Sequence, residues 1–232
     1  MKKSFNGQLI LDEINLKINR GEIFVILGAS GSGKTVLLKH LIGLFKPDAG
    51  SIEINSVDIT KLNEKQLLEI RKNIGYLFQE AALYDFLNVF DNVAFPLREH
   101  THLSKNEIEQ KVYWILEMVD LLGSEYKYPS ELSGGMRKRV GLARAVVMGS
   151  KMVFCDEPTS GLDPIRSKDI SDLIKDISVR LGCTMVITSH DIRNAFRIAD
   201  RLVLIHNGRI IVEGTKDILM QTTDSFVSKF VS

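Results

Sequence analysis

Gly28-Ala29-Ser30-Gly31-Ser32-Gly33-Lys34-Thr35 is the stretch whose reading decides the fold. An apolar run, Ile23-Phe24-Val25-Ile26-Leu27, precedes it and reads as a buried parallel strand. Val36-Leu37-Leu38 and Leu41-Ile42 follow it and read as a helix closed by Gly43. The eight residues fit G-x-x-x-x-G-K-[ST] in the order strand, glycine loop, helix, which is the context that gives the pattern meaning. Glycines let backbone N–H groups turn inward around an anion, and the helix N-terminus adds partial positive charge. Lys34 can then reach β- and γ-phosphates, and Thr35 can offer its hydroxyl to Mg²⁺. A turn that needs glycine for steric reasons alone leaves the Lys-Thr pair at this offset unexplained.

With 232 residues and 44% hydrophobic content, the chain suits one domain of ordinary size or a core with an inserted lobe. Its 30 basic and 29 acidic residues leave a formal net charge of +1, so no global field points to an anionic membrane surface, and no nucleic-acid partner is expected. Cys155 and Cys183 lie in or beside apolar strand-like runs without metal-ligand or CxxC spacing, and read as buried thiols of a reducing compartment. The longest apolar runs are only about five residues, against the ~20 that a membrane-spanning helix needs. Met1-Lys2-Lys3-Ser4 is not followed by a signal-type stretch. The expectation is a soluble polypeptide whose membrane role, if any, is borrowed from another chain.

Along the chain, residues 9–27 alternate in β fashion through Leu9, Leu11, Ile14, Leu16 and Ile18, with a turn at Asn19-Arg20-Gly21. Ile52 and Ile54 continue an antiparallel pattern, Glu64 to Ile70 forms a short helix, and Ile74 to Phe78 is the next strand, ended by Gln79. From Glu80 to about Pro96 the chain is apolar but irregular, which is unusual for a solvent loop. It either folds over its own core or contacts a partner. Ser104 and Glu107 form a capping-box pattern ahead of Ile108, Val112, Ile115, Leu116 and Val119 at helical spacing. Strands return at Met152–Cys155, Met185–Thr188 and Leu202–His206 with helical patterns between them, implying a mostly parallel α/β sheet. Asn207-Gly208 closes a hairpin onto Ile210–Glu213.

Two further sites of chemistry stand out. Met152-Val153-Phe154-Cys155 runs into Asp156-Glu157, two carboxylates at the C-terminal end of a buried strand, where ligands bind in open α/β sheets. Asp156 is the candidate Mg²⁺ partner and Glu157 the candidate base that orients and activates water. Leu132-Ser133-Gly134-Gly135-Met136 opens a helix with Val140, Ala143, Val146 and Val147 on one face. It is either a second anion-ready N-terminus or a capped helix with a basic solvated face.

Taken together, these residues resemble the nucleotide-binding subunit of an ABC transporter over almost the whole chain. Gly28–Thr35 matches Walker A, Gln79 the Q-loop, Leu132–Met136 the signature and Val153–Glu157 Walker B. Ser160-Gly161-Leu162-Asp163 matches the D-loop and His190 the switch histidine. The resemblance implies a P-loop NTPase fold: a RecA-like core with an antiparallel β subdomain (1–89 and 149–232) and an inserted helical subdomain (about 90–148). It implies ATP and Mg²⁺ as ligands, Gln79 contacting Mg²⁺ and the attacking water, and His190 contacting the γ-phosphate. It also implies that Ser133, Gly134 and Gly135 cover the ATP held by a second copy of the chain, so that two heads close around two nucleotides.

Within the superfamily, Asn88–Glu99, Met136 and Gly161-Leu162-Asp163-Pro164-Ile165 are similar to the ATPases of MCE-type (Mla-like) lipid transporters. That likeness implies an integral-membrane permease contacted through the residues after Gln79, an MCE-domain partner, and a place on the cytoplasmic face of the membrane. Met136 stands where most ABC signatures have glutamine. Phe5 aligns with the aromatic that stacks on adenine, yet only four residues precede it where the family has a full strand. The tail Phe226, Val227, Phe230 and Val231 is amphipathic and either docks on its own domain or clasps the other subunit.

Overall fold

The computed structural model of the chain describes residues 1–231. In chain order its elements are β1 (Lys3–Phe5), β2 (Gln8–Leu11), β3 (Ile23–Leu27), α1 (Lys34–Leu41), β4 (Glu53–Ile54), β5 (Val57–Asp58), α2 (Glu64–Arg71) and β6 (Ile74–Leu77). There follow α3 (Val89–His100), α4 (Lys105–Met118), α5 (Gly134–Val146), β7 (Met152–Asp156), α6 (Pro164–Leu181) and β8 (Thr184–Ser189). The chain finishes with α7 (Ile192–Ile198), β9 (Arg201–His206), β10 (Arg209–Gly214), α8 (Lys216–Met220) and α9 (Ser225–Val231). These fall into two compact units, Met1–Arg71 with the stretch from Val186 onward, and Lys72–Met185. β8 starts in the second and runs into the first.

In the first unit every residue of β3 is buried. β3 pairs in parallel with β9, Val25 opposite Leu202, and the order here is β10-β9-β3-β8. β9 turns back into β10 at Asn207-Gly208, whose φ values of 47° and 73° are the left-handed pair that a tight hairpin needs. β1 and β2 form a separate antiparallel pair, as do β4 and β5. The alternation expected across Ile14, Leu16 and Ile18 is not a strand: Glu13 has a φ of 55°, which breaks the extended run, and Ile14 bonds only the backbone of Met1 (N to O 3.0 Å). In α9, Val227 is fully buried and the Phe226 ring lies 3.9 Å from that of His206, so the tail docks on its own domain. The Val231 side chain lies outside what is described.

In the second unit β6 and β7 run parallel, Gly75 opposite Val153 and Leu77 opposite Cys155. Both cysteines are free and buried, and burial pushes the Cys155 thiol well above the usual range and raises that of Cys183. The capping box at Ser104 and Glu107 is formed at the start of α4. The stretch up to Pro96 is more regular than its sequence suggests. Asn88 caps α3 by accepting from the Asp91 N–H (2.7 Å), and the helix then runs through Pro96. An interior proline usually marks a break, which is why the pattern reads as irregular.

α5 packs hard onto β6, and two glycines make room for it. A Cβ on Gly75 would sit 2.2 Å from the Ala145 carbonyl oxygen, and one on Gly141 2.7 Å from Leu77 Cδ1. Backbone cannot yield as a flexible side chain can, so Gly75→Val should cost roughly 1–3 kcal/mol of stability and lower the thermal midpoint of the purified chain. A midpoint equal to wild type would rule out the close approach of α5 to β6.

Candidate active site

Each unit ends a buried strand in a polar turn. In the first, β3 stops at Leu27 and the chain wraps from Gly28 to Gly33 before α1 begins at Lys34. Gly31 and Gly33 have φ of 79° and 100°, a region that side-chain-bearing residues disfavour. A Cβ on Gly28 would meet Ser32 Oγ at 2.5 Å and the Ile205 carbonyl oxygen at 2.6 Å, so the loop is closed up around bare backbone. Lys34 is 5% exposed, and its ammonium arches over the loop to donate to the carbonyls of Gly28 (2.8 Å) and Ala29 (3.1 Å). Ser32 Oγ is buried with no protein partner. A buried cation beside an orphaned hydroxyl at a helix N-terminus is the donor set that a phosphate satisfies.

Thr35 follows in the first turn of α1, half-buried, while Ala29 and Ser30 are exposed. His190 is exposed in the link from β8 to α7. Phe5 is 37% exposed, its ring edge-on to Phe45 with centroids 5.5 Å apart.

In the second unit β7 delivers Asp156 and Glu157, 4% and 7% exposed. Glu157 has a φ of 47°, a backbone state that costs energy and collects at functional sites. Tyr76 directs its hydroxyl at Asp156 Oδ2 (3.5 Å), and burial followed by this carboxylate pushes the phenol well above its usual range. Gln79 is exposed, its Nε2 3.4 Å from Ser160 Oγ, which joins the Q-loop residue to the turn after Glu157. Lys138 is 5% exposed; it donates to the Gln79 carbonyl and lies 3.5 Å from that of Glu157. Desolvation lowers its pKa, while Glu80, Glu157 and Asp156 pull it up.

Ser133 is the N-cap of α5, its Oγ accepting from the Met136 N–H at 3.3 Å. Gly134 and Gly135 fill the first helical positions, where they leave the backbone bare of side chains. Asp163 caps α6 through the N–H groups of Ile165 and Arg166 (both 3.1 Å), which hold its carboxyl below the usual range. No three or more His, Cys, Asp or Glu residues converge on a metal site among the described residues. Mg²⁺ needs no such cage, since one or two carboxylates and substrate phosphates suffice; Thr35 in the first unit and Asp156 in the second each carry an oxygen of the hard kind it takes.

Several residues that shape the site escape a motif search. Asn92, fully buried, accepts from Tyr84 N (2.9 Å) and donates to the carbonyls of Tyr84, Leu87 and Asn88. Arg144 donates to the carbonyls of Ala81 (2.6 Å) and Ala82 (2.8 Å), both of which have positive φ. The segment after Gln79 is thus folded over its own core, yet Phe78, Tyr84 and Phe86 are 42%, 37% and 76% exposed. In the sequence Lys138 reads only as part of a basic run, Arg137-Lys138-Arg139, on a solvated helix face, whereas it is buried, and Arg144 carries no signal of its own.

The family described as ABC transporter matches residues 11–160. The chain is 43% identical over its full length to the probable ribonucleotide transport ATP-binding protein mkl of Mycobacterium leprae, 67% of which it covers; it spans 65% of the Mycobacterium tuberculosis counterpart. It is also 43% identical, over 97% of its length and 85% of the other, to the intermembrane phospholipid transport system ATP-binding protein MlaF of Haemophilus influenzae. Among solved structures, the ATP-binding cassette MJ0796 in a dimeric post-hydrolysis state with ADP and Pi matches with a TM-score of 0.84 and 30% identity, over 92% of this chain and 94% of that one. Motif, strand-end geometry and likeness agree: the chain belongs to the ABC transporter family, as an ATP-binding ATPase cassette.

Proposed function

We propose that the chain powers a transporter of phospholipid or other hydrophobic molecules, working as a pair of copies with a membrane permease and an MCE-domain protein. The Lys34 loop with its unsatisfied Ser32 hydroxyl is the observation that carries the nucleotide half of this reading. The likeness to the Haemophilus influenzae phospholipid transport ATPase supports the cargo half. The catalytic core then comprises 1–89 and 149–232, and the helical subdomain about 90–148.

The chemistry follows from the residues present. Backbone N–H groups of Gly28 to Gly33, with Ala29, Ser30 and Ser32 among them, and the Lys34 ammonium hold the β- and γ-phosphates of ATP. Thr35, Asp156 and Gln79 are the residues that would hold Mg²⁺, and the ion would supply neutralisation of phosphate charge. Glu157 accepts a hydrogen bond from water and aligns it for in-line attack on the γ-phosphorus, and His190 contacts the γ-phosphate. Positioning and charge neutralisation do most of the work in such phosphoryl transfers. Phe5 offers a ring to adenine. Ser133, Gly134 and Gly135 of one copy close over the nucleotide held by the other, and the exposed aromatic residues after Gln79 meet the permease on the cytoplasmic face of the membrane. None of the described helices is long and apolar enough to cross a membrane; in this reading the chain is held at the membrane through the permease.

Lys34→Ala should weaken ATP binding roughly 10- to 100-fold, the loss of charge-assisted contacts worth about 1.5–3 kcal/mol. Glu157→Gln should leave affinity intact, lower kcat by about 100-fold or more, and accumulate an ATP-bound dimer in size-exclusion chromatography. Unchanged hydrolysis by Glu157→Gln would remove the base from this scheme. For the cargo, a tagged chain extracted from native membranes should bring down a permease and an MCE-domain protein. A permease without the MCE partner would assign the chain to another transporter, and a division-type membrane protein that engages a cell-wall hydrolase would assign it a regulatory role.

A further inference from the structure

Lys138, Gly141 and Arg144 recur at three-residue intervals along α5 and form one stripe. All three meet the segment around Gln79. Arg144 binds the Ala81 and Ala82 carbonyls, and Gly141 leaves space for Leu77 and Ala81, where a Cβ would lie 2.7 and 3.1 Å from their side chains. Lys138 lies nearest the start of the helix and donates to the Gln79 carbonyl, with the Glu157 carbonyl 3.5 Å away.

A buried ammonium is an expensive way to fill space. An apolar side chain of similar length would avoid its desolvation cost, so the charge calls for a reason. It is directed at two main-chain carbonyls that belong to separate loops. An ammonium with three donors on a flexible stem is well suited to gather such acceptors. One of them belongs to Glu157, whose φ of 47° persists only where its surroundings dictate it. The same carbonyl accepts from the Ser160 N–H at 3.1 Å, so it is held from two directions.

We infer that Lys138 is a positioning residue that ties the peptide groups of Gln79 and Glu157 to the helix beginning at Ser133-Gly134-Gly135. A shift of that helix then moves both reaction groups together. The inference rests on the reading of Glu157 as the base, and it goes further by naming the residue that sets the base's backbone and links it to the signature helix.

The test compares Lys138→Met, Lys138→Arg, Glu157→Gln and the double variant Lys138→Met with Glu157→Gln, all in the full chain. Each is assayed for kcat and KM in Mg·ATP hydrolysis, ATP affinity, and thermal midpoint. Lys138→Met should lose about 100-fold in kcat, the usual cost of a small misplacement, with ATP affinity within about threefold of wild type, less than the tenfold that 1.4 kcal/mol represents. Lys138→Arg should recover most of the rate, since it keeps a cation with several donors. The double variant should be no slower than Glu157→Gln, because residues acting as a unit are not additive. If Lys138→Met does not fold, Lys138→Gln, which keeps one donor group, is judged by the same kcat and affinity criteria. Wild-type kcat in the Met variant overturns the inference. So does an Arg variant as impaired as Met with ATP affinity and midpoint falling in step, the mark of a packing role. Unimpaired Glu157→Gln would instead overturn the base assignment on which the inference stands.

Discussion

A buried parallel strand has to end, and in this chain the two ends that matter are solved by backbone that leaves ordinary conformational space. β3 delivers its chain into Gly31 and Gly33 at positive φ, and β7 delivers its chain into Glu157 at a φ of 47°. Both turns place polar groups at the C-terminal edge of apolar strands, where ligands of α/β sheets are held. The first turn can use glycine, since its task is to bare N–H groups. The second carries a carboxylate rather than a glycine at the strained position. Its strain must be met from outside, by the Ser160 N–H and the Lys138 ammonium.

That difference explains what was legible in the sequence. The glycine loop could be read because its pattern is written in residue types at fixed spacing, and the same holds for the placement of the acid pair at a strand end, the Ser133 cap, the Ser104 capping box and the Asn207-Gly208 hairpin. The sheet strands were legible because β3 is apolar from end to end and β7 is apolar up to its terminal Asp156. Long-range support was not legible. Lys138 and Arg144 act on main-chain atoms of Gln79, Ala81 and Ala82, far away in sequence, while Asn92 acts on those of nearby Tyr84, Leu87 and Asn88, and main-chain acceptors carry no letter in the sequence. α3 was hidden by Pro96, and the missing strand near Ile14 by Glu13 at positive φ, which alternation of hydrophobic residues cannot reveal.

The segment after Gln79 combines a fixed backbone with exposed aromatic side chains. Its backbone is pinned by Asn92 and Arg144 while Phe86 and Tyr84 keep exposed surface. A rigid backbone with exposed aromatic side chains can transmit displacement, where a floppy one would absorb it. The same helix that pins this segment begins with Ser133-Gly134-Gly135, so events at its N-terminus and at the exposed aromatic residues share one rigid element.

The central claim is that each ATP is hydrolysed by halves from two copies, Lys34 from one and Ser133 from the other. Mixing separately purified Lys34→Ala and Ser133→Arg chains and measuring Mg·ATP hydrolysis tests this directly. Each variant alone should be inactive, whereas the mixture, in which a mixed dimer combines one intact phosphate loop with one intact signature, should regain activity. A silent mixture, or full hydrolysis by Ser133→Arg on its own, would contradict the account.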